Sequence, residues 1–280
     1  MSVKIMIDSA SDINKEEAEK LGFLFMPIQV RLDEEEYFDG IDLQPAEFYE
    51  KLVSSKDMPQ TSLINSYRWN EAFEDATKNG DEVIAITLSS KISGTYESAV
   101  EAAKSFNGKV IVIDSLNAAL GERLLGLYAL ELAKQNLSAS EIAEKLNVKK
   151  LKIKLYAVID TLKYLKKGGR ISAATAFFGE MLSIKPIVSV IDGKVEVIGK
   201  AKGNKKGNQY LISKVDEVGG IDFDMPYGLL YSGNDKSNIN KFTEECEYLF
   251  ANIKPGLFCL GCTIGTHIGP GAVGLAFFTK

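Results

Sequence analysis

The sequence is poor in the residues on which metal and disulfide chemistry depend. Its 280 residues include one histidine and three cysteines, and an odd, small number of cysteines excludes a disulfide framework. Cys259 and Cys262 have the spacing of half a zinc site, but a four-ligand site would also have to recruit Cys246 and His267. We therefore expect the cysteines to act as small hydrophobic residues. We expect no metal and no other cofactor.

Long apolar runs and a dominant charge of one sign are also missing. No segment reaches the roughly 20 apolar residues that span a bilayer, and the opening residues are too weakly apolar for a signal peptide. The formal net charge is -5, with acidic and basic residues interspersed. A nucleic-acid surface would usually concentrate Lys and Arg on one face. We therefore expect a cytoplasmic protein that does not bind nucleic acid.

Short β-rich runs alternate with helical patterns in the first half of the chain. The runs VKIMID, DEVIAITL and KVIVID have few polar residues, as is typical of parallel strands covered on both faces by helices. Between them, apolar residues recur every three or four positions, and a Gly or Asn-Gly closes each helix. The pattern predicts an α/β fold whose first domain, residues 1–150, is a doubly wound, mostly parallel sheet.

The second half, residues 151–280, predicts an α/β domain with a mixed sheet. The run IKPIVSVIDGKVEVIGK reads as a hairpin that turns at Asp192-Gly193, because Asp-Gly between alternating apolar residues is a strong hairpin signal. Further helices and strands alternate after it, and AVGLAFFT forms a last strand.

Small hydroxyl residues gather where strands are expected to end. DSASD follows the first strand, SSKISGTY follows DEVIAITL, and Asp114-Ser115 follows KVIVID. With PQTS at 59–62, which we expect to lead into a helix, they place Ser and Thr at helix entrances, where unpaired N–H groups favour anions. Any single one of these residues reads equally well as a helix N-cap. Together they predict a site for a carboxylate or phosphate.

Two glycine-containing motifs admit simpler explanations. Gly269, Gly271 and Gly274 satisfy G-x-G-x-x-G, yet only six residues follow, so no helix of a dinucleotide-binding βαβ unit can begin there. In LKKGGRIS, the lysines and glycines suit the end of a helix. Arg170 is not explained by such an end and could bind an acid.

An enzymatic alternative is a serine hydrolase that uses Ser93 and His267. Ser90 could replace Ser93, and Asp8, Asp114 or Asp160 could supply the acid. However, SKISGTY lacks the glycine two positions before the serine that a nucleophile elbow requires. A phosphate- or nucleotide-binding protein is a third reading, weakened by the absence of a P-loop motif.

Several segments together resemble the DegV family of bacterial fatty-acid-binding proteins. They are DSASDI (8–13), PQTS (59–62), LSSKISGTYESA (88–99), VIDS (112–115), LKYLKKGGRIS (162–172), IKPI (184–187) followed by DG, and GTHIGPGAVGL (265–275). The resemblance implies a two-domain α/β protein that buries a long-chain fatty acid and presents its carboxyl group at the domain junction. It also implies that the protein is a non-catalytic lipid carrier, the subunit of a fatty acid kinase system that supplies phospholipid synthesis.

The resemblance assigns binding roles residue by residue. It places the fatty-acid carboxylate against Thr61, Ser62, Ser93, Gly94, Arg170 and His267. The glycines around His267 then suggest a loop whose backbone bends sharply and approaches the ligand. For the acyl chain we expect the inward faces of the second-domain strands and the stretch AATAFFGEMLS, with Phe177, Phe178, Met181 and Leu182 as candidates. Ordinary core packing is the simpler explanation for any one of these four.

The family's kinase partner implies a docking surface. A pattern like K-x-R-x-x-K-K is frequent in the family at the corresponding segment, and this chain has Lys200, Lys202, Lys205 and Lys206, with lysine in place of the arginine. Lysine keeps the charge but loses the bidentate fork of arginine. The basic segment is therefore either a docking site for an ATP-dependent kinase subunit or a solvated turn.

Overall fold

The computed structural model describes residues 2–171, 183–250 and 253–280. Three β-sheets organise these residues. The strands are β1 (Val3–Asp8), β2 (Leu24–Met26), β3 (Gln29–Leu32), β4 (Glu35–Phe38), β5 (Gln60–Ser62), β6 (Glu82–Thr87), β7 (Val110–Asp114), β8 (Ile153–Val158), β9 (Ile184–Ile191), β10 (Lys194–Lys202), β11 (Tyr227–Tyr231), β12 (Gly256–Cys259) and β13 (Val273–Phe278).

Helices cover both larger sheets. They are α1 (Lys15–Leu21), α2 (Pro45–Ser54), α3 (Ser66–Thr77), α4 (Thr95–Ala103), α5 (Ala119–Ala133), α6 (Ala139–Lys149), α7 (Lys163–Lys167), α8 (Gly203–Glu217), α9 (Ser237–Cys246) and α10 (Cys262–Ile268). Caps follow from the sequence: Asn14 accepts a hydrogen bond from the Glu17 N–H to begin α1, and Gly22, with φ 94°, ends it. In the described part of the chain, no helix is long and apolar enough to cross a membrane.

The first sheet is parallel, with strand order β2-β1-β6-β7. Successive side chains of β1 point to opposite faces. Ile5 and Ile7 pack in the core that includes α5 and α6, whereas Met6 packs in the core that includes Trp69 of α3 and Ala99 of α4. Helices therefore cover both faces, and the predicted doubly wound parallel sheet is confirmed.

The second sheet is mixed, with strand order β10-β9-β8-β13-β11-β12. The β11–β12 pair is parallel and the other pairs are antiparallel. The hairpin of β9 and β10 turns at Asp192 and Gly193, whose φ angles of 50° and 81° are those of a type I′ turn. The predicted mixed sheet and its hairpin are confirmed.

Helix α5 lies between the two sheets and touches strands of both. It is apolar around most of its circumference, as a helix buried on all sides must be. Leu120, Leu124 and Leu125 belong to the core shared with strands of both sheets. Gly126 lets the helix approach β1, because a Cβ there would lie 2.6 Å from Ile7 Cδ1. One continuous core thus joins the parallel sheet to the mixed sheet.

A third, antiparallel sheet of order β4-β3-β5 was missed in the sequence. Its strands have only three or four residues, too short for a clear alternation signal. Val30 and Leu32 of β3 pack with Phe48 of α2 and Cys262 of α10. Within PQTS, Gln60–Ser62 pairs with β3 as strand β5, which the sequence did not predict, and the helix expected after it, α3, begins at Ser66.

The expected boundary near residue 150 falls at the turn between α6 and β8. The strands of the parallel sheet all precede residue 115, and those of the mixed sheet all follow residue 152. Helix α10 nevertheless contacts α2, β3 and β5 of the first half. The division into domains 1–150 and 151–280 therefore stays a prediction.

Gly274 tests the close packing of the mixed sheet. A Cβ at this position of β13 would lie 2.3 Å from the backbone O of Tyr156 and 2.9 Å from Ala157 Cα. Because backbone atoms cannot move aside cheaply, we expect Gly274→Ala to lower the free energy of unfolding by about 3 kcal/mol. Gly80→Ala is the control, since its methyl group would meet no atom within 4 Å; its left-handed φ alone should cost about 1 kcal/mol. Urea unfolding of both variants measures the difference, and equal losses would contradict the packing argument.

Candidate functional site

A mostly apolar cavity of about 260 Å³ lies where the two halves of the chain meet. Its polar end brings together residues that are distant in the sequence. The six residues predicted for carboxylate binding all line the cavity: Thr61, Ser62, Ser93, Gly94, Arg170 and His267.

His267 lies on helix α10, and its expected position in a glycine-shaped loop is wrong. The helix ends at Gly269, whose φ of 74° terminates the helical turn. Two of the neighbouring glycines serve packing: a Cβ on Gly265 would lie 2.6 Å from the Phe48 ring, and one on Gly269 would lie 2.3 Å from the Tyr164 ring. The glycines therefore let α10 pack tightly against α2 and α7, which holds His267 at the cavity.

The imidazole of His267 is largely buried. Nε2 lies 2.9 Å from Thr61 Oγ1, and Nδ1 has no hydrogen-bond partner among the described residues. Gly168 leaves room for the ring, since a Cβ there would lie 2.4 Å from Nδ1. Burial, and secondarily the charge of Arg170, lower the pKa of His267 to about 4. The imidazole is therefore neutral at pH 7.

Arg170 joins the turn after α7 to the loop between β6 and α4. Its Nε donates to the carbonyl of Ile92 at 3.3 Å, and Nη1 donates to the carbonyl of Gly168. Gly169, at φ 70°, makes the left-handed turn expected from the sequence. Within the described ranges, Arg170 has no carboxylate within ion-pair distance, so it brings a positive charge to the cavity that no acid there neutralises.

Ser93 and Gly94 lie at the N-terminus of α4. Ser93 Oγ accepts a hydrogen bond from the Thr95 N–H at 3.2 Å and lies 2.9 Å from Thr95 Oγ1. Gly94 is the N-cap residue and provides no capping side chain. The first turn of α4 thus directs backbone N–H groups and the positive end of its dipole toward this region, which favours an anion.

Thr61 and Ser62 approach the same end of the cavity from β5. Pairing with Val30 and Gln29 of β3 fixes their register. Thr61 is half-buried against His267, whereas Ser62 is exposed. The polar end of the cavity is therefore built from one strand, one helix N-terminus, one arginine and one neutral histidine.

The remaining walls of the cavity are mostly apolar, with Ser189 and Thr263 as further polar lining residues. The inward faces of the second-half strands contribute to them, as expected in general terms, through Leu155, Ala157, Val188, Val190, Val195 and Leu230. Ala118 and Ala119, at the start of α5, were not foreseen, because nothing in their pattern separates them from ordinary core residues. Phe177, Phe178, Met181 and Leu182, the individual candidates for the acyl chain, lie outside the described residues.

Buried aspartates hold the segments that carry the site, a role that the sequence did not reveal. Asp39 accepts hydrogen bonds from the N–H groups of Cys262 and Thr263, at 3.0 and 2.9 Å, and so begins α10. Asp8 accepts from the N–H of Leu88 at 2.9 Å. The strand-end segments DSASD and Asp114-Ser115, expected near a ligand, do not line this cavity in the described structure. Asp8 instead anchors backbone.

The hydrogen bonds do not assemble a Ser-His-Asp triad. Ser93 bonds to Thr95, and His267 bonds to Thr61. In the described residues no carboxylate bonds to Nδ1 of His267, the position that a triad acid would occupy. Asp160, one of the candidate acids, bonds to Lys185 instead at 2.6 Å.

The cysteines lie in mainly apolar surroundings, Cys246 in one core and Cys262 in another, against which Cys259 also packs. Cys246 is buried in the core between α8 and α9, and Cys262 packs beside Phe48. Burial raises the pKa of the Cys246 thiol to about 12 and that of Cys259 to about 11. No group of three or more His, Cys, Asp or Glu residues in the described part of the chain could hold a metal ion.

The remaining candidate residues lie on defined elements. Lys200 and Lys202 are on β10, and Lys205 and Lys206 are in the first turn and a half of α8; all four are exposed. The glycines of the G-x-G-x-x-G match occupy the end of α10, a turn and strand β13, with no helix after them. The lysines thus share one surface segment, and the glycine motif is structural.

The single histidine permits a direct test of the site's electrostatics. In ligand-free protein, we expect NMR titration of the His267 imidazole to give a pKa of about 4. An unfolded histidine titrates near 6.5, so between pH 4 and 6.5 the unfolded state binds more protons to this residue. The contribution of His267 to the unfolding free energy, measured as the difference between the parent and His267→Gln, should therefore fall as the pH drops through that window and stay level above it. His267→Gln is the control and should lose this slope. A midpoint at or above 6.5 would contradict the buried position.

Comparison with known proteins extends over the whole chain. The family model that matches, over residues 2–280, is DegV, described as "Uncharacterised protein, DegV family". A DegV domain-containing protein of Caldanaerobacter subterraneus is 36% identical, with 99% of each chain covered. A DegV domain-containing protein of Staphylococcus aureus is 31% identical, with 99% of this chain and 98% of the relative covered.

Solved structures of similar fold include proteins named for fatty-acid binding. A DegV family protein from Thermus thermophilus, named for fatty acid binding, has a TM-score of 0.89 and 29% identity, with both chains fully covered. DegV of Bacillus subtilis, named as a fatty acid binding protein, has a TM-score of 0.87 and 30% identity over both full chains. A stearic acid-binding protein from Eubacterium ventriosum has a TM-score of 0.87 and 27% identity over 99% of this chain and 98% of its own. The chain belongs to the DegV family.

Proposed function

We propose that this protein is a carrier that binds one long-chain fatty acid, with the acyl chain in the apolar cavity and the carboxylate at its polar end. One observation carries the proposal: the same cavity has mostly apolar walls and, at its polar end, Ser93, Arg170 and His267. The names of the similar structures from T. thermophilus, B. subtilis and E. ventriosum support fatty acid as the ligand. By this proposal the protein has no catalytic activity of its own.

The polar end suits an ionised carboxylate. Arg170 supplies the positive charge, and the α4 N-terminus with Ser93 supplies hydrogen-bond donors. If the neutral His267 donates from Nε2 to Thr61 Oγ1, the hydroxyl proton of Thr61 is left to donate to the ligand. Hydrogen bonds to the charged form keep a carboxylate ionised. His267 would thus orient Thr61 and act on the ligand through it.

The acyl chain supplies the larger part of the affinity. Each buried CH₂ group contributes about 0.8 kcal/mol when it leaves water. Branched and small side chains such as Val188, Ala157 and Leu230 line the apolar part. They offer no polar partner, so the walls select a hydrocarbon chain and the polar end fixes its direction.

Removing His267 should weaken fatty-acid binding while leaving the fold intact. We expect His267→Ala to cost about 1.5 to 3 kcal/mol, the range for hydrogen bonds that involve a charged group. Ser93→Ala should cost a similar or smaller amount. The losses in the double variant should be less than additive, because Ser93 donates to the same carboxylate on which His267 acts through Thr61. Titration of a fluorescent fatty acid into the parent and the three variants measures these costs.

The same four proteins separate the carrier from a serine hydrolase. Esterase assays should show no turnover that depends on Ser93 or His267. Ser213→Ala, at an exposed serine on α8, is the matched control and should bind like the parent. Unchanged fatty-acid affinity in His267→Ala would show that the histidine does not contribute to binding. Ester cleavage that disappears with Ser93 would overturn the carrier proposal.

We further propose that the carrier presents the carboxyl group to a separate ATP-dependent fatty acid kinase subunit. The polar end of the cavity includes the exposed residues Ser62 and Gly94, so a bound carboxylate would lie near the surface. The exposed lysines at 200, 202, 205 and 206 provide a basic surface for an acidic partner face. Phosphorylation of the carboxylate would give an acyl phosphate, the activated form from which phospholipid synthesis can proceed.

Charge reversal tests this docking surface. Lys202→Glu combined with Lys205→Glu should slow association with the kinase subunit and reduce its salt dependence, because rim charges act mainly on the rate of association. Fatty-acid binding should stay unchanged. The matched control is Lys78→Glu combined with Lys134→Glu. These exposed lysines lie at the ends of α3 and α5, and each forms an ion pair with an acidic residue of its own helix. Equal acyl phosphate formation by both double variants across salt concentrations would rule out the lysine segment as the docking site.

A further inference from the structure

The hydroxyl group of Ser93 is held by the side chain and backbone of Thr95. Thr95 is the first residue of helix α4 and is 0% exposed. Its N–H donates to Ser93 Oγ at 3.2 Å, and the two hydroxyl oxygens lie 2.9 Å apart. One hydroxyl group must donate to the other across this distance, and the direction of that hydrogen bond determines what Ser93 offers to a ligand.

The surroundings of Thr95 set the direction of the hydrogen bond. Thr95 Oγ1 accepts from the N–H of Ile64 at 3.4 Å. Among the described residues, Ser93 Oγ is the only acceptor within hydrogen-bond distance of the Thr95 hydroxyl group. A hydroxyl group has one proton, and leaving that proton unpaired in a site shielded from solvent would cost free energy. The proton of Thr95 therefore lies between Thr95 Oγ1 and Ser93 Oγ.

This direction leaves the proton of Ser93 for the cavity. Ser93 Oγ then accepts two hydrogen bonds, one from the N–H and one from the hydroxyl group of Thr95. These two bonds occupy both acceptor positions of a serine hydroxyl group. Ser93 is half-buried and lines the cavity. Its hydroxyl group can therefore donate to a ligand there but cannot accept from one.

Helix α4 is also fixed to the segment that carries Thr61. Ile64 lies two residues after β5. Its N–H donates to Thr95, and its carbonyl accepts from Ser98 Oγ at 2.8 Å. Both backbone polar groups of Ile64 are therefore bonded to side chains of α4. Because Thr61 precedes Ile64 by only three residues, these contacts limit how far the hydroxyl groups of Thr61 and Ser93 can move apart.

We propose that Thr95 is a positioning residue for the carboxylate site: its hydroxyl proton, held against Ser93 Oγ, directs the Ser93 proton toward the ligand. A hydroxyl group in this state matches a head group that only accepts hydrogen bonds, as an ionised carboxylate does. Thr95 does not line the cavity in the described structure, so it acts on the ligand through Ser93. The identity of that ligand rests on the proposed function.

A double-mutant cycle with Ser93 tests this role. Thr95→Val removes the hydroxyl group and nearly preserves the shape of the side chain. It should weaken the binding of a fluorescent fatty acid about fivefold, the usual effect of losing one hydrogen bond. In the Ser93→Ala background the same change should cost less than about twofold, because the group through which Thr95 acts is gone. Thr95→Ser restores a hydroxyl group and should recover most of the affinity.

The cycle distinguishes positioning of Ser93 from a general structural effect. Thr95→Val also removes the acceptor of the Ile64 N–H, and this loss acts equally with Ser93 or Ala at position 93. Equal fold losses in the two backgrounds would therefore overturn the proposal, as would unchanged affinity in Thr95→Val. The control is Thr243→Val, which removes a hydroxyl group that bonds within α9, and it should bind like the parent.

A ligand-free measurement separates this inference from the proposed function. Neutron diffraction from deuterated, ligand-free crystals of the parent should place the hydroxyl deuteron of Thr95 between its own Oγ1 and Ser93 Oγ. The deuteron of Ser93 in that position would reject the inference even if fatty acid binds. Absence of fatty-acid binding by the parent would instead reject the proposed function, with the neutron map still testing the direction of the hydrogen bond. Since the parent alone gives this map, a variant that fails to fold does not remove the test.

Discussion

Hydrogen bonds from backbone N–H groups to buried aspartates fix two segments that form the polar end of the cavity, helix α10 and the loop between β6 and α4. Asp39 satisfies N–H groups at the start of α10 and thereby places His267. Asp8 does the same for Leu88 and thereby places the loop that carries Ser93. These segments are far apart in the sequence, so no local propensity could bring them together. The polar end of the cavity exists because carboxylates inside the core bind backbone that would otherwise be unpaired.

Burying these acids is costly, and the protein offsets only part of the cost. Burial raises the pKa of Asp8 to about 7 and also raises that of Asp39. The backbone N–H groups lower both pKa values, because they stabilise the charged forms. Their like charges repel one another, so the cluster is tolerated only in a fixed arrangement. This arrangement gives the polar end of the cavity a fixed geometry.

The sequence predicted what depends on local pattern and missed what depends on tertiary contact. The parallel strands and the Asp192-Gly193 hairpin carry strong local signals, and both are confirmed. Strand β5 carries no such signal, because three residues cannot show an alternation and Ser62 fits a helix N-cap equally well. The glycines around His267 suggest a sharply bent loop, whereas the structure places the residue on α10. Those glycines instead serve close helix packing, which a sequence alone cannot distinguish from a turn.

The neutral state of His267 gives the site its chemical character. A protonated histidine beside Arg170 would place two cations in one buried pocket, and burial together with that arginine disfavours it. Among the described residues that line the cavity, Arg170 therefore supplies the positive charge. The histidine contributes a directed hydrogen bond instead, through Thr61. An ester or amide carbonyl would leave the charge of Arg170 unneutralised, so the electrostatics of this pocket favour a free acid over its neutral derivatives.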